Sequence, residues 1–340
     1  MDEQITFALP SKGALAEPAL SFLSDCGLRV DKPNPRQYTG VIAQLPAISV
    51  LFQRVNDILY KVADGTVELG LTGLDVVREQ PFDEVIVVHE DLRFGQCKLI
   101  VAAPESWIDV SNMVDLAEVA HDMREQHGRN LRIATKFTRL ARKFLYEHGI
   151  HQFTLVNAEG AIEAAPTIGY ADVIIDLTQT GTTLRENHLK PLDDGIILES
   201  QACLIGNRSA LRNSTAKREV TRLLLEYFDA ALQGKKYYQL TVNIRGEDPQ
   251  DIARRIAANP VTRGLQGPTV APIYGGEPNW HTVTLIIASR DLLSAIDHLR
   301  RAGGTQTTVT PVRYAFMEYS PTFRRLQNVL DEVEPEVSSR

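Results

Sequence analysis

Cysteine is scarce in this chain: Cys26, Cys97 and Cys203 are the only three in 340 residues. Their wide scatter excludes a disulfide framework and any zinc spacing, and predicts reduced, packed thiols. No apolar run approaches the ~18 residues a membrane span needs. Lys and Arg number 36 against 43 Asp and Glu, a net charge of −7. A nucleic-acid binder would normally carry a basic face, and neither a helix-turn-helix nor a basic segment is evident. The opening Met1-Asp2-Glu3-Gln4 is acidic where a signal peptide would be basic, so a cytoplasmic protein with no membrane or nucleic-acid partner is expected. Also missing are a Ser/His/Asp elbow, a zinc-type histidine cluster and a reactive-cysteine motif.

What is present is an ordinary globular composition, 44% apolar and 23% charged, in a length that suits two or three domains. Short β-branched runs at 5–10, 48–52, 67–73, 85–88, 97–104, 131–136, 154–156 and 171–175 read as strands. Between them, helical periodicity marks 15–26, 54–62, 111–126 and 138–147, with Leu15, Leu20, Phe22, Leu23 and Cys26 as the buried side of the first. Alternating strand and helix predicts an α/β fold of two lobes with a cleft between them.

One stretch stands out, Asp176-Leu177-Thr178-Gln179-Thr180-Gly181-Thr182-Thr183-Leu184-Arg185. It follows a buried strand and leads into a short helix expected from Leu184. Strand, tight turn and helix start together aim backbone N–H groups at one anion. Thr178, Thr180, Thr182 and Thr183 add hydroxyl donors, and Asp176 can accept hydrogen bonds from sugar hydroxyls. A ribose phosphate would fit, although an ordinary threonine-rich turn has the same local pattern. Lys12-Gly13, between a strand and a helix, is a second place for phosphate, and Thr72-Gly73 ends another strand.

Glu163-Ala164-Ala165-Pro166, Gly169 to Asp176, Thr180 to Leu184 and Asn187-His188-Leu189 together closely resemble the signature of the ATP phosphoribosyltransferases. Pro10-Lys12-Gly13, Leu69 to Asp75, Phe94 to Leu99 and Ala134-Thr135-Lys136 are similar to further blocks of that family. Many members have an arginine after the first Lys-Gly, where this chain has Ala14. The resemblance implies a type II periplasmic-binding-protein-like core that joins N1 of ATP to C1 of 5-phosphoribosyl pyrophosphate with Mg²⁺, in the first step of histidine biosynthesis. It implies that Thr178, Gln179, Thr180, Gly181, Thr182 and Thr183 hold the 5-phosphate and Asp176 the ribose hydroxyls. Glu163 would orient substrate or metal-bound water. Lys12, Gly13, Arg54, Thr72 and Gly73 would serve ATP and pyrophosphate, with Lys12, Glu163 and Asp176 as the catalytic set. It implies no particular protein ligand for Mg²⁺, which would be carried largely by substrate phosphates.

The expected boundaries are 1–95 with 196–215 for lobe I, 96–195 for lobe II, 216–319 for a further domain and 320–340 for a tail. Segments 237–244, 249–258, 269–274, 280–288, 291–302 and 307–313 read β-α-β-β-α-β, a ferredoxin-like (ACT-like) unit. On physics alone it could equally be structural or oligomerising. Gly267 to Pro272 and Gly303-Gly304-Thr305 resemble the C-terminal domain of the family's long form, which implies a histidine-inhibited homo-oligomer, dimer to hexamer. Asn243, Thr269, Gly304 and Thr305 are the implied histidine contacts. The tail shows Phe323, Leu326, Val329 and Leu330 at helical spacing before an acidic end. A non-catalytic two-lobed binding protein or sensor is the alternative; the missing export signal counts against the exported form.

Overall fold

A computed structural model describes residues 4–32, 34, 37–158, 160–275 and 277–331. The acidic end of the tail lies outside them. Lobe I begins with β1 (Ile5–Pro10), α1 (Ala16–Asp25), β2 (Val30–Asp31), β3 (Thr39–Ile42), β4 (Ile48–Gln53), α2 (Val55–Ala63), β5 (Leu69–Gly73), α3 (Leu74–Glu79) and β6 (Val85–His89). Lobe II follows with β7 (Cys97–Pro104), α4 (Met113–His127), β8 (Leu131–Thr135), α5 (Thr138–Glu147), β9 (Phe153–Asn157), α6 (Ala165–Ile168), β10 (Val173–Thr178), α7 (Thr182–Glu186) and β11 (Leu189–Ser200). β12 (Ala202–Asn207) then returns to the lobe I sheet, antiparallel between β5 and β6.

The two sheets repeat one topology. Lobe I is ordered β2-β3-β4-β1-β5-β12-β6 and lobe II β11-β7-β10-β8-β9. From β4 to β6, and from β9 to β11, each runs second, first, third, inserted, fourth, with the inserted strand antiparallel to its neighbours. That is the two-crossing type II arrangement. Central strands bury both faces: Ile5, Phe7, Ala8 and Leu9 are fully buried, as are Val173, Ile174 and Ile175. Such strands read as continuous apolar runs because helices cover both sides. Their carboxyl ends, with the turns after them, are where an open α/β sheet binds ligands.

Two expectations shift. The chain re-enters lobe I after Ser200, later than the expected 196, because β11 stays paired with β7 through Ser200↔Cys97. Leu20, expected inside, is 37% exposed; α1 starts at Ala16 and turns Phe22 and Leu23 inward as expected, with Ala19 rather than Leu20 beside them.

After α8 (Arg208–Asn213), and from within α9 (Thr215–Gly234), a second compact unit comprises Asp25–Gly27 and Thr221–Gln327. It contains β13 (Tyr237–Arg245), α10 (Pro249–Ala257), β14 (Thr269–Pro272), β15 (Trp280–Ala288), α11 (Leu292–Arg301) and β16 (Gly304–Pro311). Sheet order β14-β15-β13-β16, all antiparallel, is the ferredoxin-like order. The unit runs past the expected 319 because α12 (Pro321–Asp331) is fastened to α9. Ser320 Oγ and Thr322 Oγ1 donate to the Asp229 carboxylate at 2.5 and 2.7 Å. Leu326 and Leu330, noted for helical spacing, are buried.

Candidate active site

A cavity of about 930 Å³ lies between the lobes. Its lobe I wall includes Ala14, Asn56, Gly73, Asp75, Glu79 and Gln80; its lobe II wall includes Lys136, Phe137, Thr138, Asn157, Thr178 and Gln179. Of the residues singled out by sequence, Gly73, Thr178 and Gln179 line it directly. Thr72 does not: it is fully buried, and its hydroxyl donates to Val55 O at 3.2 Å, tying β5 to α2. Gly73 has to lack a side chain, since a Cβ there would run into the Asp75 carboxylate.

The hydroxyl loop continues from the lobe II wall. β10 extends through Thr178, so Asp176 and Leu177 stand within the strand, paired with Ile100 and Leu99. Gly181 has φ +72°, a left-handed conformation that glycine adopts without strain, and its N–H donates to Thr178 Oγ1 at 3.0 Å. The helix starts at Thr182, earlier than the expected Leu184, with no side chain capping its first N–H groups. Thr180 and Thr182 hydroxyls share a 3.0 Å hydrogen bond, and Thr182 Oγ1 also accepts from Arg185 Nη2 at 3.3 Å. Thr182 and Thr183 remain exposed. Glu163 sits on a short 3₁₀ turn, Ile162–Ala164, close enough to Asp176 for its charge to be felt there.

Asp176 is partly buried beside the cleft, and that burial pushes its carboxyl above the ordinary range. Glu163 adds to the rise, while the Leu177 N–H and the Lys136 ammonium oppose it. Asp75 behaves alike: burial raises it, and hydrogen bonding from Ser200 and the charge of Lys136 pull back. Lys136 is thus a cation facing a carboxylate from each lobe. The sequence offered a hint, a strand ending Ala134-Thr135-Lys136 in basic and hydroxyl residues, but nothing that brought it to Asp75 and Asp176. Cys97 also lines the cleft, and burial raises its thiol to about 11, which leaves it unreactive at neutral pH.

Lys12 and Arg54 converge in an adjoining cavity of about 400 Å³ with Ser11, Tyr38 and Asp57. Arg54 is the N-cap of α2, and no side chain caps that helix, so its leading N–H groups face an anion-ready corner. Gly13, at φ +84°, links Lys12 to the Ala14 of the main wall.

In the second unit Asn243 and Thr305 share a cavity of about 240 Å³ with Ile273, Glu277, Trp280 and Gln306. Asn243 Nδ2 donates to Gln306 Oε1 at 3.3 Å, and Thr305 Oγ1 donates to Asn243 O at 3.2 Å. Gly304 pairs with Ile244 at the same sheet end. Thr269 lies further along, opposite Thr284, outside this lining.

The ATP phosphoribosyltransferase family profile matches residues 54–227, and that of the HisG C-terminal domain matches 234–314. ATP phosphoribosyltransferase 2, chloroplastic, of Arabidopsis thaliana is 40% identical over 331 residues, 95% of this chain and 80% of its own. The chain belongs to the ATP phosphoribosyltransferase family. ATP phosphoribosyltransferase of Bradyrhizobium sp. (strain ORS 278) is 37% identical across 97% of this chain and 99% of its own. A chain of the ATP phosphoribosyl transferase (HisG:HisZ) complex from Thermotoga maritima shares the fold, with TM-score 0.51 and 24% identity over 66% of this chain and 96% of that one. As an ATP phosphoribosyltransferase, the protein is a pentosyltransferase of histidine biosynthesis.

Proposed function

We propose that the interlobe cleft holds ATP against 5-phosphoribosyl pyrophosphate and that the residues lining it divide the work by lobe. Adenine N1 has a free lone pair, so it needs no base to become a nucleophile. The N1–C1 bond forms as the C1–O bond breaks, and pyrophosphate leaves with the electron pair. Catalysis is then positioning plus stabilisation of the departing charge. The observation that carries this reading is the pairing of an anion-ready hydroxyl turn, Thr178 to Thr183, with the half-buried Asp176 on the same strand.

In this reading the turn takes the 5-phosphate, with Gln179 at its edge, and Asp176 accepts from the ribose hydroxyls, which orients C1. Glu163 steers substrate or metal-bound water. Lys12, Gly13 and Arg54, with the start of α2, neutralise ATP phosphates and departing pyrophosphate. Gly73, with Thr72 behind it, shapes the ATP side, and Lys136 joins these as a cleft cation. Among the described residues no group of three or more His, Cys, Asp or Glu could cage a metal ion. An ion carried by substrate phosphates would have Asp75 on the cleft wall and Glu163 and Asp176 near the hydroxyl turn. Mg²⁺ supplied in this way would offset negative charge on the leaving pyrophosphate.

The regulatory reading assigns L-histidine to the ferredoxin-like unit, with Asn243, Gly304 and Thr305 as contacts and Thr269 on the neighbouring edge strand. The small polar cavity at Asn243 supports it. A homo-oligomer, dimer to hexamer, in the cytoplasm completes the proposal, because the chain carries its own C-terminal unit. Among the described residues, no helix is long and apolar enough to cross a membrane.

The direct test mixes the pure protein with ATP, 5-phosphoribosyl pyrophosphate and Mg²⁺, and follows product absorbance and pyrophosphate with and without histidine. Turnover suppressed by histidine is expected. Folded protein that binds either substrate without turnover would overturn the catalytic reading, and turnover indifferent to histidine would remove the regulatory one.

A further inference from the structure

α5 lacks a cap of its own. Its N-cap residue, Phe137, is 3% exposed and belongs to the lobe II core, so it has no polar side chain for the first helical N–H groups. The cap comes from the other lobe. Glu79, the last residue of lobe I helix α3, accepts from Arg139 N–H through Oε1 at 2.8 Å and from Leu140 N–H through Oε2 at 3.0 Å. These are the second and third N–H groups of the helix, the ones a local cap would serve. Arg139 Nη1 donates back to Arg78 O at 2.9 Å. Glu79 is 9% exposed, so its carboxylate depends on these partners and on the positive end of α5.

The opposite end of α3 is fastened too. Leu74 N–H donates to Gln201 O at 2.9 Å, and Ser200 Oγ donates to Asp75 Oδ1 at 2.8 Å while accepting from Asp75 N–H at 2.9 Å. α3 carries Asp75 on one cleft wall, and the residues leading into α5, Lys136, Phe137 and Thr138, form the facing wall. The crossing fastens one end of α3 whatever the lobes do. The Glu79 bonds, by contrast, exist only while the lobes stand at this separation.

We propose that Glu79 is a positioning residue that sets the aperture of the cleft, holding the Asp75 wall at working distance from the Lys136 wall. In this role it acts through the separation of the two walls rather than on a reacting atom. Its effect on rate, which rests on the substrate reading above, follows from the demand that two bound reactants meet within about 3–3.5 Å, where a shift of about 1 Å can cost about 10²-fold.

Pulsed-dipolar EPR on the full chain decides it, with spin labels on Gln44→Cys in lobe I and Lys143→Cys in lobe II, diluted with unlabelled protein. The parent should give one narrow distance. Glu79→Ala should give a longer and broader one and lower kcat/KM for both substrates about 100-fold, with kcat and KM both affected. Glu79→Gln retains one acceptor oxygen and should recover about tenfold of that loss with an intermediate distance. An unchanged distance in Glu79→Ala overturns the proposal, including where the variant merely melts earlier. If the parent turns over neither ATP nor 5-phosphoribosyl pyrophosphate, the substrate reading fails while the distance still decides the role of Glu79.

Discussion

The two lobes repeat one strand order yet meet the cleft with opposite chemistry. Lobe I brings charge: Lys12, Arg54 and an uncapped helix start at α2. Lobe II brings shape with a single cation: a glycine-hinged hydroxyl turn near Asp176 and Glu163, and Lys136 just past β8. The duplicated topology fixes where the turns lie, and the residues in those turns decide what each lobe does. Charge works at a distance and tolerates an ångström of error, whereas hydroxyls and carboxylates proposed to orient a sugar phosphate do not. Lobe II should therefore be the less forgiving of mutation, and its losses should appear in kcat as well as KM.

The hardest blow to that contrast would be a mild phenotype for Asp176→Asn. We expect kcat/KM to fall about 10³-fold, in line with removing one preorganised polar group from a reacting centre. Because burial raises the Asp176 carboxyl, the parent should lose its ionised form, and with it activity, at a pH above the ordinary carboxylate range as acid is added. An acid limb in kcat/KM at or below about pH 4 would count against Asp176 as the ionised partner of the ribose.

Next in size is a frame effect confined to lobe II. Asp172 accepts from Arg129 Nη1 at 2.7 Å and from Arg132 Nη2 at 2.9 Å, and its side chain is 8% exposed. Burial alone would raise it; the hydrogen bonds and charges of Arg132 and Arg129 outweigh that and hold its carboxyl at about 2. A folded value below the unfolded one means the stabilisation is fully present above about pH 4 and is lost as pH falls through 2. Asp172→Asn should cost about 2–3 kcal/mol in urea unfolding at pH 7, with a gap from the parent that narrows toward pH 2. A gap constant with pH would mean the arginines are not what holds Asp172.

Much of this was legible from sequence. Apolar strands such as Val173-Ile174-Ile175 and the glycine at 181 announce themselves by composition and by local backbone need. The C-terminal β-α-β-β-α-β order was legible for the same reason, since each element carries its own periodicity. Two kinds of fact were not. The Glu79 cap and the Lys136 cluster join residues from different lobes, and no local pattern encodes a partner some sixty positions away. Thr72 shows the converse: its place beside Gly73 suggests the cleft wall, but it is fully buried and its hydroxyl donates to Val55 O.

A finer cut compares substitutions within each turn. Gly181→Ala meets only Arg185 Nη1, at 3.5 Å, so the cost there is conformational rather than steric, about 1 kcal/mol of backbone strain. Thr182→Ala removes one donor without strain. Each should raise KM for 5-phosphoribosyl pyrophosphate about tenfold, about what one hydrogen bond to a charged group is worth. The glycine variant should also lower kcat, because a displaced turn misplaces C1, whereas the threonine variant should leave kcat nearly intact. Equal kcat values for the two would erase the distinction between holding phosphate and shaping the turn.

Smallest of all should be the lobe I charges. Lys12 and Arg54 are exposed, so their attraction for phosphate is screened by salt. Lys12→Ala and Arg54→Ala should each raise KM for ATP about fivefold at low salt, close to 1 kcal/mol, with kcat within about twofold of the parent. In ~0.5 M salt the difference from the parent should shrink by more than half, because the Debye length falls to about 4 Å. Asp176→Asn and Gly181→Ala should keep their defects in the same salt. A Lys12 or Arg54 defect that salt leaves untouched would place that side chain in a fixed, desolvated contact, and lobe I would then share the geometric role assigned to lobe II.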